Sequence, residues 1–455
     1  MNGNISEAVI RRILKKLASH GVYAEAFAEN TERLTAVFEN GKPDRLENTL
    51  EQGVSFRIIN DGKTFFGFTT ETDEMSLQDT ADALIYSTRN GGMDISFGNP
   101  VSVRNYEILS RLPAEKKIAI ISEIDMAASV DDRIIQKTAK YMEIVRNTRI
   151  INSLGEDISQ SLNYVTAHSI VTASDGKEMQ TAVVSEGGAF GAEEARSMNF
   201  ASIGERAGKL AMQNLRAKNA PAGMMPVVLG SKAGGTMVHE AVGHGLEADH
   251  ACNGTSVFAG RMGKRVASEL ITVIDDGTLK GRRGSFLYDD EGTSAAENVL
   301  IENGVLKSYM YDRLYAMKEG VKPTGNGRRE SFRYRPIVRM TNTYIKPGDS
   351  KPEDIISSVR KGLYVADMGG GQVNTVTGDF VFEVTEGYLI ENGKIGDPVR
   401  NATLIGNGPD VMTNIDMVGS DLGFGIGVCG KEWQNVPVTD AQPTLRIPEI
   451  TVGGR

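Results

Sequence analysis

Residues 236–250 read Thr236-Met237-Val238-His239-Glu240-Ala241-Val242-Gly243-His244-Gly245-Leu246-Glu247-Ala248-Asp249-His250, and they hold three of the chain's five histidines. Two of them bracket a glutamate as His-Glu-x-x-x-His. Neutral imidazole is the commonest metal ligand among side chains. A carboxylate beside a bound metal can act as general base toward metal-activated water. The familiar zinc-hydrolase motif is one residue shorter, with histidines at i and i+4 on one helical face. On a regular α-helix four steps of about 100° leave two side chains about 40° apart, whereas five steps leave about 140°. One ion cannot take both imidazoles in the second case. If His239 and His244 share a metal, the helix needs a local insertion such as a π-bulge, whose wider turn brings i and i+5 together. Gly243 has no Cβ and lowers the cost of that distortion, and Gly245 lets the helix loosen or end just beyond.

A structural zinc takes four protein ligands, usually several of them cysteines, and this chain has only Cys252 and Cys429. A catalytic zinc takes three protein ligands and keeps one position open, which fits the supply better. Spacing leaves the third ligand undecided. Glu247, Asp249 and His250 are near in sequence, while Cys252 and Cys429 offer softer thiolates. Cys429 lies in Gly425-Ile426-Gly427-Val428-Cys429-Gly430, a glycine-rich stretch that can carry a thiolate to a metal and equally the setting of an ordinary buried thiol. His20 and His168 are remote in sequence and are expected to be structural or solvated.

A chain of 455 residues exceeds one ordinary core, so two domains are expected. Apolar residues make up 40%, adequate for packed cores. The 50 basic and 59 acidic residues give a net charge of −9. That balance argues against nucleic acid as the main partner and reads as a solubility charge. Two cysteines make no disulfide framework. The first residues lack the uninterrupted apolar core of a secretory signal, and no run approaches the roughly 18 uncharged apolar residues of a membrane span. A cytoplasmic protein without a membrane partner is expected.

Ser6 is placed to cap a helix through about His20, with Ile10, Ile13, Leu14 and Leu17 at helical spacing. Tyr23 to Phe27, Leu34 to Phe38, Val54 to Ile59 and Thr64 to Phe68 read as strands, with Asn40-Gly41 and Asp61-Gly62 as hairpin turns. Ser76 is the expected cap of a helix over 77–88, and Pro113 opens another to Ala128. Residues 134–145 and 159–185 read as strands, and a helix is expected from about Ala192 to Lys218. Asn219-Ala220-Pro221-Ala222-Gly223 is the natural boundary, dividing residues 1–220 from 221–455. Beyond it the text is β-dominated, with hairpin dipeptides at Asp276-Gly277, Asn303-Gly304 and Asn392-Gly393. Helices there are few, over 314–318 and 352–361. The expected class is α+β: an N-terminal α+β domain with an antiparallel sheet and long helices, then a mostly antiparallel β domain carrying one metal-binding helix.

His239-Glu240-Ala241-Val242-Gly243-His244 together with Cys429-Gly430-Lys431 resembles the TldD branch of the TldD/PmbA family of metalloproteases. Asp289-Asp290-Glu291-Gly292-Thr293, Thr324-Gly325-Asn326-Gly327, Arg339-Met340-Thr341-Asn342-Thr343-Tyr344 and Pro443-Thr444-Leu445 resemble further family blocks in the expected order, and the N-terminal half is similar more loosely. The resemblance implies zinc bound by His239, His244 and Cys429, with Glu240 as catalytic base. It implies unfolded or linear peptides as substrates, held extended in an enclosed cleft. It also implies a dimer, either of identical chains or with a related subunit that lacks the metal residues. Trp433 and the run Val438-Thr439-Asp440-Ala441 depart from the family pattern, which bears on peptide preference. Two rivals stand beside this reading: a non-catalytic zinc-containing peptide-binding subunit, and a metal-dependent hydrolase of non-peptide amides. Glu240 between the histidines disfavours the first, because a structural site needs no base there.

Overall fold

A computed structural model describes residues 7–88, 101–105 and 112–454. The first half builds one sheet from β1 (Tyr23–Glu39), β2 (Lys42–Asn60), β3 (Lys63–Thr69), β4 (Val101–Asn105), β5 (Ile134–Asn152), β6 (Glu156–Ser174) and β7 (Met179–Gly188). The order is β3-β2-β1-β5-β6-β4, with β7 also on β6. Only β4 on β6 is parallel. The turns form where the dipeptides demand them: Asn40 and Gly41 have φ of 49° and 78°, Asp61 and Gly62 of 49° and 65°, the paired positive angles of type I′ hairpins. Tyr23–Phe27 and Leu34–Phe38 prove to be ends of one strand. The polar residues between them, which read as a break, include Glu29 and Thr31, and both are buried.

Helices cover one face of this sheet. They are α1 (Glu7–Ala18), α2 (Glu74–Thr88), α3 (Ala114–Ala127), α4 (Ala192–Ser197) and α5 (Phe200–Arg216). Ile10, Ile13, Leu14 and Leu17 of α1 are buried as their spacing requires, while Ser6 lies outside the described residues. Ser76 is not the cap of α2. The helix starts earlier, and Asp73 Oδ1 accepts the Ser76 amide at 3.0 Å, because a carboxylate at the helix start answers both the free amides and the dipole. The single helix expected over 192–218 is two. Met198 turns extended (ψ 141°), and Asn199 caps α5 by accepting the Ser202 amide.

The second half carries two larger sheets. A six-stranded one runs Val305–Leu306, Glu297–Glu302, Val273–Asp276, Asn342–Ile345, Gln434–Gln442, Gly423–Lys431, with the last strand at its edge. In the eight-stranded one, pairing of Lys361–Val373 with Asp379–Glu391 closes a ring with Gly223–Leu229, Leu445–Gly453 and Ala402–Asn407. Asn303-Gly304 and Asn392-Gly393 take positive φ at both residues. Asp276-Gly277 does not, and Asp276 Oδ1 instead accepts the Thr278 amide at 2.8 Å. Helices form at Arg313–Glu319 and Pro352–Ser357, and also at Gly408–Asn414, whose opening Gly-Pro disguised it. The chain is thus α+β, with helices and mostly antiparallel sheets.

The sheet face opposite the helices meets the second half through buried charge set between two small apolar clusters, Phe27 and Ile150 on Phe332, and Tyr23 and Ile59 on Leu314. Glu25 and Arg57 face each other on β1 and β2. Arg57 also bonds Glu291, and Arg329 bonds Glu25. Arg146 on β5 reaches Asp290 at 2.9 Å and Glu29 at 3.3 Å. Arg57, Glu25, Glu291 and Arg329 are each no more than 1% exposed. Removing one member of such a set strands its partner's charge, at a cost of about 3–5 kcal/mol. Glu291→Ala should therefore lower the thermal unfolding midpoint sharply in calorimetry. Glu74→Ala, which breaks the exposed pair with Arg12, should cost at most about 1 kcal/mol.

Candidate metal centre

The histidine segment follows strand Gly223–Leu229 and begins with two consecutive left-handed glycines, Gly234 and Gly235, at φ 79° and 75°. A Cβ on Gly235 would lie 2.4 Å from the Ala441 amide nitrogen. The bare backbone lets this segment start directly against strand Gln434–Gln442. One turn of α-helix, Thr236–Val238, widens into a π-helix over His239–Gly243. The His244 amide donates to the His239 carbonyl, the i+5 bond that the spacing calls for. The two imidazole centroids are 5.1 Å apart and nearly perpendicular. Gly243 itself is ordinary in conformation, at φ −55° and ψ −56°. Its missing side chain serves packing, since a Cβ would sit 2.1 Å from the Met340 sulfur.

Cys429 approaches from the edge strand Gly423–Lys431, paired opposite Val436 and buried. Its Sγ lies 3.2 Å from His239 Nε2 and 3.4 Å from His244 Nε2. All three donor atoms fall within 4.8 Å of one another. Behind them, His239 Nδ1 is 2.7 Å from Asp440 Oδ1, and His244 Nδ1 is 2.9 Å from Glu247 Oε2. Lys431 Nζ then donates to Glu247 (2.9 Å), Asp249 (2.7 Å) and the Val338 carbonyl (3.1 Å). A carboxylate on Nδ1 fixes the ring and turns Nε2 toward a shared point, the arrangement found behind metal-ligating histidines. Burial pushes the His239 pKa down, yet Asp440 and Cys429 outweigh it and hold it well above the usual value. His244 behaves likewise, with Glu247 and Cys429 overcoming burial to raise it to about 10. Burial pushes the Cys429 thiol up, but the two imidazoles hold it well below its usual range. The triad therefore favours a thiolate and a neighbouring positive charge. Two imidazoles and one thiolate, with space on the remaining side, fit a zinc ion that keeps an open position.

That space is a cavity of about 1010 Å³ whose wall includes His239, Glu240, His244 and Cys429. Burial raises the Glu240 carboxyl pKa, opposed by His239 and His244, a shift that suits a proton acceptor. Gly369-Gly370-Gly371 also lines the cavity, within the bulged strand Lys361–Val373. The other local ligand candidates point elsewhere. Glu247 meets Nδ1 of His244, not the thiolate side. Asp249 and His250 cluster with Glu247, but the Lys431 ammonium occupies that group, and its charge opposes a cation there. Cys252 is half-buried beside Glu319, and burial lifts its pKa to about 11. His20 bonds Ser19 and the Lys16 carbonyl at the surface, and His168 bonds Ser185.

Sequence reasoning missed Asp440 and Lys431 as parts of this centre. Asp440 stands in the run Val438-Thr439-Asp440-Ala441, which the sequence linked to peptide preference. It reaches the imidazole because strand Gln434–Gln442 runs beside the π-turn. Trp433, the other departure, sits at the hairpin tip with Glu432, at φ 62° and 47°. It is 95% exposed and away from the cavity.

Comparison with known proteins agrees across the chain. Residues 222–454 match the PmbA/TldA metallopeptidase C-terminal domain, residues 24–87 its domain 1 and residues 107–215 its central domain. A metalloprotease TldD homolog of Haemophilus influenzae is 38% identical, over 99% of this chain and 97% of that protein. A zinc metalloprotease TldD homolog of Saccharolobus solfataricus is 36% identical over 247 residues, 54% of this chain and 55% of that one. The crystal structure of TldE from Thermococcus kodakarensis shares the fold, with a TM-score of 0.77 at 18% identity, covering 98% of this chain and 100% of that one.

Partners behind metal-ligating imidazoles typically contribute 10- to 100-fold in metal affinity. Asp440→Ala should weaken zinc binding by about that factor in competition with a chromophoric chelator, while leaving the circular dichroism spectrum unchanged. Undiminished affinity would mean that the Asp440–His239 bond serves packing alone.

Proposed function

This chain belongs to the PmbA/TldA metallopeptidase family, and from that premise we propose that it is a zinc-dependent peptidase acting on unfolded or linear peptides. His239 Nε2, His244 Nε2 and Cys429 Sγ hold the ion in this reading. Zinc held by them would supply Lewis acidity, acidifying water and polarising a peptide carbonyl. Glu240 takes the proton from the attacking water and returns it to the leaving amine. Asp440 and Glu247 accept from Nδ1 of each imidazole and keep Nε2 turned to the site. The observation that carries the proposal is the convergence of two Nε2 atoms on one thiolate, each imidazole backed by a carboxylate, at the wall of a cavity that Glu240 also lines.

The edge position of strand Gly423–Lys431 supports an extended substrate. A peptide can pair its main chain with the groups of that edge other than the Gly427 and Cys429 carbonyls, which accept from Arg283 and Arg339, a mode that by itself gives little side-chain selectivity. Residues 221–455 then form the metal-holding domain, and residues 1–220 supply the facing wall through Val183, Ser185 and Phe190. We extend the proposal to a dimer, of two such chains or with a related subunit that lacks the metal residues, and to a cytoplasmic setting. No described helix is long and apolar enough to cross a membrane.

Glu240→Gln should keep its zinc, measured by atomic absorption, and lose roughly 10²- to 10⁴-fold in cleavage of an unfolded polypeptide. Retained cleavage would remove Glu240 as the base, and lost zinc would make it structural. Cys429→Ser should lower zinc stoichiometry, whereas an unchanged value would place the third ligand elsewhere. Dialysis against a chelator should abolish cleavage, and added zinc should restore it.

A further inference from the structure

The cavity wall holds positive charge that no protein carboxylate answers. Lys232, Arg282 and Arg283 all line it, and none makes an ion pair among the described residues. Buried Arg57 and Arg329 have carboxylate partners, whereas Arg328 and Arg339 meet backbone carbonyls, as Arg283 does. What sets Arg283 apart from those two is its place on the cavity wall. Arg283 is 6% exposed. It donates Nη1 to the Gly427 carbonyl at 2.8 Å, its Nε has no partner, and Nη2 has no acceptor among the described residues. Arg282 lies over the Phe424 ring, 3.5 Å from the centroid, with no acceptor for its guanidinium among the described residues. Burial pushes both guanidinium pKa values down, and for Arg283 the nearby Tyr164 only partly opposes this.

The carboxylates of the same cavity face other groups, Glu240 standing beside His239 and His244. Asp440 holds His239, and Glu186 pairs with Arg206 at 3.0 Å. Burial lifts Asp367 to about 6. A desolvated guanidinium is costly unless something anionic meets it, and its planar fork suits a carboxylate.

The three cations follow the edge strand in order. The missing Cβ of Gly423 would lie 2.9 Å from the Lys232 amide nitrogen, Arg282 covers Phe424, and Arg283 holds Gly427. All three contacts therefore fall on one side of Cys429, spread over roughly 14 Å of strand at about 3.4 Å per residue. On the peptidase reading above, from which this inference departs, we infer that the site selects peptides carrying a carboxylate on one flank of the cleaved bond. Lys232, Arg282 and Arg283 are the residues that receive it. The carboxylate comes either from an acidic side chain or from the peptide's own C-terminus. The basic stripe ends at the metal, so the preference is one-sided, and acidic groups on the other flank bring no gain.

Binding tests this without turnover. A fluorescein-labelled unstructured peptide is titrated with the full chain carrying Glu240→Gln, in versions with Glu or Gln at each position and with a free or amidated C-terminus. Each Glu on one flank should bind roughly five- to tenfold tighter than Gln, the size of a partly desolvated ion pair. The gain should shrink as salt rises toward about 0.5 M. The free-acid and amide pair shows which source of carboxylate is used. In Arg282→Gln and Lys232→Gln, which lie nearer solvent than Arg283, the Glu-to-Gln ratio should fall toward one. Equal binding of Glu and Gln peptides, or a preference that survives both substitutions, overturns the inference while the peptidase reading stands. Failure to bind any peptide overturns both.

Discussion

Two imidazoles from a single helical turn point at one sulfur that arrives 185 or more residues later, and most of the local structure serves that meeting. A regular α-turn would point His239 and His244 apart. The i+5 bond from the His244 amide to the His239 carbonyl rotates them together. The widened turn fits only because Gly235 lets it press on the strand that carries Asp440, and because Gly243 leaves room for Met340. Asp440 and Glu247 then fix the rings from behind, and Lys431, two residues past the cysteine, secures Glu247. Sulfur, imidazoles and carboxylates hold one another in place across three chain segments.

The rest of the molecule builds the surroundings of that meeting point. The edge strand brings Cys429 in from the outside of the six-stranded sheet and lines the cavity. The first-half sheet reaches the cavity through β7, and it docks on the second half through the buried ionic layer of Glu25, Arg57, Glu291 and Arg329 together with the apolar contacts of Tyr23 and Phe27. An ionic layer gains less from burial than an apolar one. It accepts only one register, because every carboxylate must meet its own guanidinium. Chemistry at the cavity thus depends on charge pairing at a distance from it.

Much of this was legible in the sequence, for identifiable reasons. Asn40-Gly41 and Asp61-Gly62 carry their turn geometry in their own residue types, and the apolar spacing of α1 needs no tertiary context. The His239–His244 spacing required a departure from α geometry, and the π-turn is that departure. The reason assigned to Gly243 was different from the one observed: space for Met340, not backbone freedom. What stayed hidden depended on distant partners. Asp73 outcompetes Ser76 as a cap, and Asn199 splits a helix whose periodicity looks continuous. Asp440 belongs to the histidine centre only because a strand 201 residues away lies alongside. The approach of Cys429 likewise came from family resemblance, since no period in the sequence links it to the histidines.

X-ray absorption at the zinc edge, on full-length protein loaded with one equivalent of metal, addresses the central claim most directly. The proposal predicts one sulfur at about 2.3 Å with two imidazole nitrogens at about 2.0–2.1 Å, and a light scatterer completing the shell. A shell without sulfur, or one fitted by sulfur and oxygen without imidazole, would contradict it.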